Sequence, residues 1–345
     1  MTNKPSVTNM MCALLFVFVF GLLANAQSVS YHLLKNVPLD AASAGREYFD
    51  YLYADSNARR IYVSHGTEVK VVDADSGDVI GTITGLKKCH GIAVPEGSGK
   101  GFITDGEEGK VFVFDVKTLK ITGEIKTADD SDSIIYDPAS KHIFAFNGDS
   151  HTASVIDPES ATVVKTLEMG GGPEFAVADG QGTVFNNIED KNELVAIDSN
   201  ALTIKSRWPV APAGGPTALA MDREHRRLFS AGRKPQMVVM MDADTGKVLQ
   251  SMPISAGVDA AAFEDATGLL FVSTREGNVH IFHEDSPDKL SEVATLKTEP
   301  YAKTMALDTK THNLYLSTVD FEPGAGVNGR RTPKPGTFHL LIYGR

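Results

Sequence analysis

From Asp50 onward, apolar and polar positions fall in short alternating bursts, and the bursts recur along the chain. The fifteen residues HGIAVPEGSGKGFIT from His90 superpose without gaps on DSIIYDPASKHIFAF from Asp132 and on EFAVADGQGTVFNNI from Glu174. TALAMDREHRRLFSA from Thr217, DAAAFEDATGLLFVS from Asp259 and KTMALDTKTHNLYLS from Lys303 continue the series, which starts with DYLYADSNARRIYVS from Asp50. Successive starts lie 40 to 44 residues apart, so the chain carries seven copies of a unit of about 42 residues.

Each copy reads as an apolar run, a polar turn and a second apolar run. A third run follows, such as KVFVFDVKTLK, TASVIDPESAT, LVAIDSNALT or VVMMDADTGK, and then a short fourth such as VVKTLEM. Alternating runs of this length bounded by turn residues are strands, and four strands in a repeat of this period form a propeller blade. The expected fold is all-β: a seven-bladed β-propeller with four antiparallel strands per blade, in one domain over residues 27–345. No segment after the leader holds a helical apolar period long enough to compete. A propeller leaves exposed edges unless its ring closes. The seventh copy supplies only a third strand, FHLLIYGR, so its fourth is expected from VSYHLLKNVPL at 29–39, joining the N-terminal strand to the C-terminal blade.

Residues 1–26 are set apart by a single Lys4, an apolar run from Ala13 to Leu23 and the small-residue motif Ala24-Asn25-Ala26. This is the pattern of a cleaved secretory signal peptide, and the run is too short to span a bilayer. The expected mature protein begins near Gln27, is periplasmic or secreted, crosses no membrane and is a monomer. Cys12 leaves with the leader, and Cys89 stays behind as a lone thiol for which burial is the common fate. The formal charge of −11, one unit more negative once Lys4 is gone, disfavours nucleic acid as a partner.

Asp73, Asp115, Asp157, Asp198 and Asp242 close the third strand of successive copies and read as turn formers, because a short carboxylate bonds the backbone two residues on. Second-strand segments such as IYVS, LFVS and LYLS, followed by a V-x-V-apolar-D run and a turn with Ser or Thr and Gly, resemble the YVTN-repeat family of secreted seven-bladed propellers, often called YncE-like. The resemblance covers nearly all of the mature chain. It implies a binding or scaffold protein rather than an enzyme. The Trp-Asp and Gly-His signatures of WD repeats are missing.

The first strand of a blade lies nearest the axis, so the residue that opens each copy belongs at one mouth of the channel. Those residues are Asp50, His90, Asp132, Glu174, Thr217, Asp259 and Lys303, and six of the seven are ionisable. They are the candidate ligand-binding set for a small molecule or a protein partner. Within them Asp132, Glu174, Asp259 and His90 could hold a divalent cation, and an oxygen-rich set with one imidazole suits calcium, magnesium or manganese better than zinc. The alternative is a hydrated polar channel mouth. The loops joining second and third strands share this face and bring His65, Asp105, Asp149, His151, Glu189, Asp190, Arg233, Lys234, Arg275 and Glu276. The seventh copy carries a Gly- and Pro-rich insertion at 320–336 there, long enough to reach over the mouth.

No Cys-x-x-Cys-His, Gly-x-Ser-x-Gly or Walker sequence is present. Cys89 and His90 are adjacent on a strand and point to opposite faces, which argues against a thiol–imidazole pair. A non-enzymatic binding or scaffold protein is therefore the leading expectation. A metal-dependent lactonase or hydrolase, with the cation in the channel mouth, is the alternative.

Overall fold

The computed structural model describes residues 1–2, 29–39, 47–324 and 331–345. The signal peptide expected at 1–26, apart from its first two residues, and part of the 320–336 insertion therefore lie outside the described residues. So does the short stretch 40–46 that precedes the first blade.

Seven four-stranded antiparallel sheets stand in a ring. Their inner strands are Phe49–Asp55, Cys89–Ala93, Ser131–Asp137, Pro173–Ala178, Pro216–Asp222, Val258–Glu264 and Met305–Asp308, defining blades 1 to 7. Each packs against the inner strands on either side, and the inner strand of blade 7 returns to that of blade 1. The ring closes as the repeat count requires: His32–Pro38 pairs antiparallel with His339–Gly344 as the outermost strand of blade 7.

The core is divided among the joints. Seven hydrophobic clusters of described residues each lie between neighbouring blades. The joint between blades 7 and 1 buries Val37, Leu340 and Ile342 against Phe49, Leu52 and Ile61. Sheets that pack face to face need apolar residues on both faces, and the middle strands accordingly read as continuous buried runs, such as Leu269–Thr274. Outer strands such as Thr162–Glu168 present most of their side chains to water. Cys89 is fully buried in the joint between blades 1 and 2, where its thiol donates to the Glu68 carbonyl at 3.1 Å.

The turn aspartates do what their chemistry allows. Asp73, Asp115, Asp157, Asp198 and Asp242 each accept backbone N–H groups from the residues two and three positions on. Among the described residues no helix is long and apolar enough to cross a membrane.

The closing strand gives a direct check. Val37 is buried and Leu34 is 49% exposed, so Val37→Asp should cost about 3 kcal/mol in denaturant unfolding, whereas Leu34→Asp should stay within about 0.5 kcal/mol. Equal effects would mean that this strand does not close the ring.

Candidate functional site

The residues that open the copies are delivered to the channel by a shared backbone irregularity. In blades 1 to 6 the pairing of first and second strands slips between Phe49 and Leu52, Cys89 and Ile92, Ser131 and Ile134, Pro173 and Ala176, Pro216 and Ala218, and Val258 and Ala260. Each slip brackets Asp50, His90, Asp132, Glu174, Thr217 or Asp259. A β-bulge re-aims the side chain it carries. The preceding blade then fixes several of these positions by their backbone oxygens: Thr304 donates to the Asp50 carbonyl at 2.6 Å, Ser133 to that of Glu174 at 2.7 Å and Ser273 to that of Lys303 at 2.5 Å. Thr104 likewise donates to the Asp132 carbonyl.

Most of the side chains pair with one another. His90 Nδ1 lies 2.7 Å from Asp50 Oδ2, 2.9 Å from Asp132 Oδ1 and 2.8 Å from the Tyr48 hydroxyl, which donates to Asp50 at 2.9 Å. Lys303 Nζ bridges Asp50 Oδ1 at 3.1 Å and Asp259 Oδ2. Arg233 bridges Asp259 and Glu189, the latter at 2.8 Å, and donates from Nε to the Val258 carbonyl. Arg275 approaches Asp259 at 3.5 Å.

Thr217 departs from the expected ring. It is 1% exposed, bonds the Gly215 carbonyl at 3.3 Å and does not line the cavity. The ring place of blade 5 is taken instead by Arg233, which comes from the end of the second strand. Taken blade by blade, the mouth then carries Asp50, His90, Asp132, Glu174, Arg233, Asp259 and Lys303. Their signs alternate all the way round except between Asp132 and Glu174, where two carboxylates are neighbours. No ion pair among the described residues joins Glu174 to a cation.

The electrostatics follow from this arrangement. Burial disfavours an imidazolium, yet Asp132 and Asp50 outweigh it and push the His90 pKa up to about 10. Burial alone would raise the Asp50 and Asp259 carboxyls, but Lys303 and its neighbours hold both below the usual range. Glu174 is raised well above the ordinary glutamate value, by burial first and then by Asp132 and Glu189. Asp132 is also raised, because burial outweighs its share of His90.

Asp50, Asp132, Glu174, Arg233, Asp259 and Lys303 line a cavity of about 520 Å³, with His90 buried beside it and paired with Asp50 and Asp132. Its floor is an aromatic pair that spans the channel, Tyr51 of blade 1 on Phe175 of blade 4, with ring centroids 4.6 Å apart. Beyond the pair lies a smaller cavity of about 260 Å³ lined by residues such as Leu52, Val177, Leu219 and Arg223. The channel is plugged and the charged mouth is a blind pocket. Tyr301 and Phe321, 4.6 Å apart, form part of its wall with Arg331 and Pro333, so described residues of the 320–336 insertion reach the mouth.

Of the four residues expected to hold a cation, only His90 and Asp132 are gathered at ligating distance, with Asp50 as the third member; all three ligand atoms lie within 4.8 Å. Glu174 lines the same cavity apart from that group, and Asp259 is engaged by Lys303, Arg233 and Arg275. Of the loop residues, Glu189, Arg233 and Arg275 join this network, whereas Asp105 accepts backbone N–H groups of Lys87 and Lys88 and His65 pairs with Glu47.

Neither a protein-family model nor a curated protein matches the chain. Solved structures do. The chain is similar to Kuenenia stuttgartiensis hydrazine synthase at 14% identity and a TM-score of 0.69, covering 85% of this chain and 98% of that one. It is also similar to U3-55K at 9% identity and a TM-score of 0.73, covering 90% of this chain and 98% of that one. The likeness is one of fold. It agrees with the seven-bladed propeller and, at these identities, carries no activity across.

Tyr48, Tyr51, Phe175 and Tyr301 belong to the pocket and were not singled out by the sequence. Tyr51 and Phe175 directly follow Asp50 and Glu174, the only copies with an aromatic residue at that position, and this was the available signal.

Because the folded-state pKa of Glu174 lies above the unfolded value, its contribution to stability is complete below the ordinary glutamate range and is lost as pH rises. Glu174→Gln removes that loss. The variant should melt at least about 2 °C higher than the parent near pH 7 and at the same temperature near pH 4. A lower melting temperature near pH 7 would mean that Glu174 is stabilised as a carboxylate.

Proposed function

We propose that this chain is a non-enzymatic binding protein that holds a small ligand in the blind pocket at the charged mouth of its channel. The observation that carries the proposal is the plug: the Tyr51–Phe175 pair turns a through-channel into a concave site with an aromatic floor and charged walls. Concave sites of a few hundred Å³ with an apolar surface and a few convergent polar groups are where proteins take small molecules.

The seven-copy repeat supports placing the chain with the YVTN-repeat, YncE-like propellers, and the leader-like residues 1–26 support a periplasmic or secreted location after cleavage near Ala26. A scaffold role that uses the same face for a protein partner is consistent with the fold, but the depth of the pocket favours a small molecule.

The metal-dependent hydrolase reading has one observation in its favour, the gathering of Asp50, His90 and Asp132. Against it, His90 Nδ1 is already shared by Asp50 and Asp132, so a cation there would have to displace the proton that these carboxylates favour on the ring. Lys303 already neutralises Asp50 from the other side. Calcium, magnesium or manganese would have to displace the protein's own cations.

Native mass spectrometry with elemental analysis, on protein purified without chelator, tests the proposal. The expected result is one small organic molecule per chain, lost in Phe175→Ala, with no stoichiometric metal. A bound metal that disappears in Asp132→Asn would support the hydrolase reading instead.

A further inference from the structure

The ring of charge at the mouth has a defect that assigns the chemistry of the ligand. Around the seven blades the groups run Asp50, His90, Asp132, Glu174, Arg233, Asp259, Lys303, four acidic and three basic. An odd ring cannot alternate throughout, so one pair of like charges must be adjacent. Here it is Asp132 and Glu174, on blades 3 and 4. Every member but Glu174 forms an ion pair with a ring neighbour: Asp50 with His90 and Lys303, Asp259 with Arg233 and Lys303, Asp132 with His90.

The deficit is local, one positive charge beside Glu174, because over the rest of the mouth Arg275 and Arg331 add positive charge and Glu47 adds negative. A divalent cation would overshoot it while facing the ammonium of Lys303 and the guanidinium groups of Arg233 and Arg275 across the cavity. The aromatic pair lies beside the defect, since Phe175 directly follows Glu174, lines the same cavity and packs at a tilt of 37° against Tyr51. The Tyr51 hydroxyl feels both carboxylates: after burial, Asp132 and Glu174 are the leading causes that push its pKa up. An aromatic face next to an uncompensated carboxylate suits an organic ammonium, which sheds its hydration readily and is attracted by the ring quadrupole. The cavity of about 520 Å³ has room for the organic body that such a group would carry.

We infer that the pocket selects a small organic monocation, an amine or quaternary ammonium, seated against Glu174 and Asp132 over the Tyr51–Phe175 pair. This rests on the reading of the mouth as a ligand pocket. In the absence of ligand a proton stands in for the missing charge. The groups that set the state of Glu174 are Tyr51 of blade 1, Asp132 of blade 3, Glu189 of blade 4, Arg233 of blade 5 and Asp259 of blade 6. Binding therefore drives Glu174 to ionise and releases its proton.

Isothermal titration of the full chain with benzylammonium, tetramethylammonium, potassium and calcium, in buffers of different ionisation heat, tests this. One of the two organic cations is expected to bind with release of a proton, and more tightly than calcium or potassium. Glu174→Gln should weaken binding about tenfold or more and abolish the proton release. Phe175→Leu, which keeps the charges, should weaken it about threefold to tenfold. Calcium binding more tightly than both organic cations, or organic-cation binding that Glu174→Gln leaves unchanged, overturns the inference. If neither organic cation binds while a molecule co-purifies in the mouth and is lost in Phe175→Ala, the ammonium assignment fails and the pocket itself stands.

Discussion

Seven is an odd number, and an odd ring of charges cannot alternate in sign without a fault. That constraint governs the mouth of this propeller. Charged groups brought together at low dielectric are tolerated only when each is offset by a neighbour. The protein meets that condition at nearly every blade by interleaving His90, Arg233 and Lys303 among its carboxylates. Where the alternation breaks, at Asp132 and Glu174, burial and repulsion raise both carboxyls. The break is not spread round the ring, because the bulged first strands and the hydroxyls of neighbouring blades hold these positions in place.

The repeat period, the alternation within each copy and the unfinished last blade were enough to reach seven blades and their closure, since each states a local or counting rule. The ring positions were legible for the same reason: equivalent places in equivalent copies share a place on the axis. What could not be read was how the side chains answer one another across the channel. Thr217 occupies the ring position of blade 5 in the sequence, yet the charge there comes from Arg233, which enters from another strand of the same blade. The plug joins Tyr51 and Phe175 from blades that are not neighbours, and no periodicity encodes a contact across the axis. An acidic reading of the mouth thus gave way to a nearly balanced one once Arg233 and Arg275 were in place.

The division of the core into seven joints bears on how such a site can persist. Each joint is an apolar cluster shared by two blades, and the ring as a whole is closed by the pairing of His32–Pro38 with His339–Gly344. Stability accumulates far from the axis. The mouth can then hold a carboxyl in an unfavourable setting without threatening the fold, as binding sites commonly do at some cost in stability.

The account turns on which carboxyl carries a proton. Carboxyl carbon NMR titration of the protein, with labelled Asp and Glu resolved by assignment, reads this directly. The account predicts that Glu174 stays protonated well above the ordinary glutamate range while Asp50 and Asp259 remain ionised below the usual aspartate range. A Glu174 carboxyl that titrates as an ordinary exposed glutamate would contradict it, because burial and Asp132 would then place no penalty on that carboxylate for a ligand to relieve.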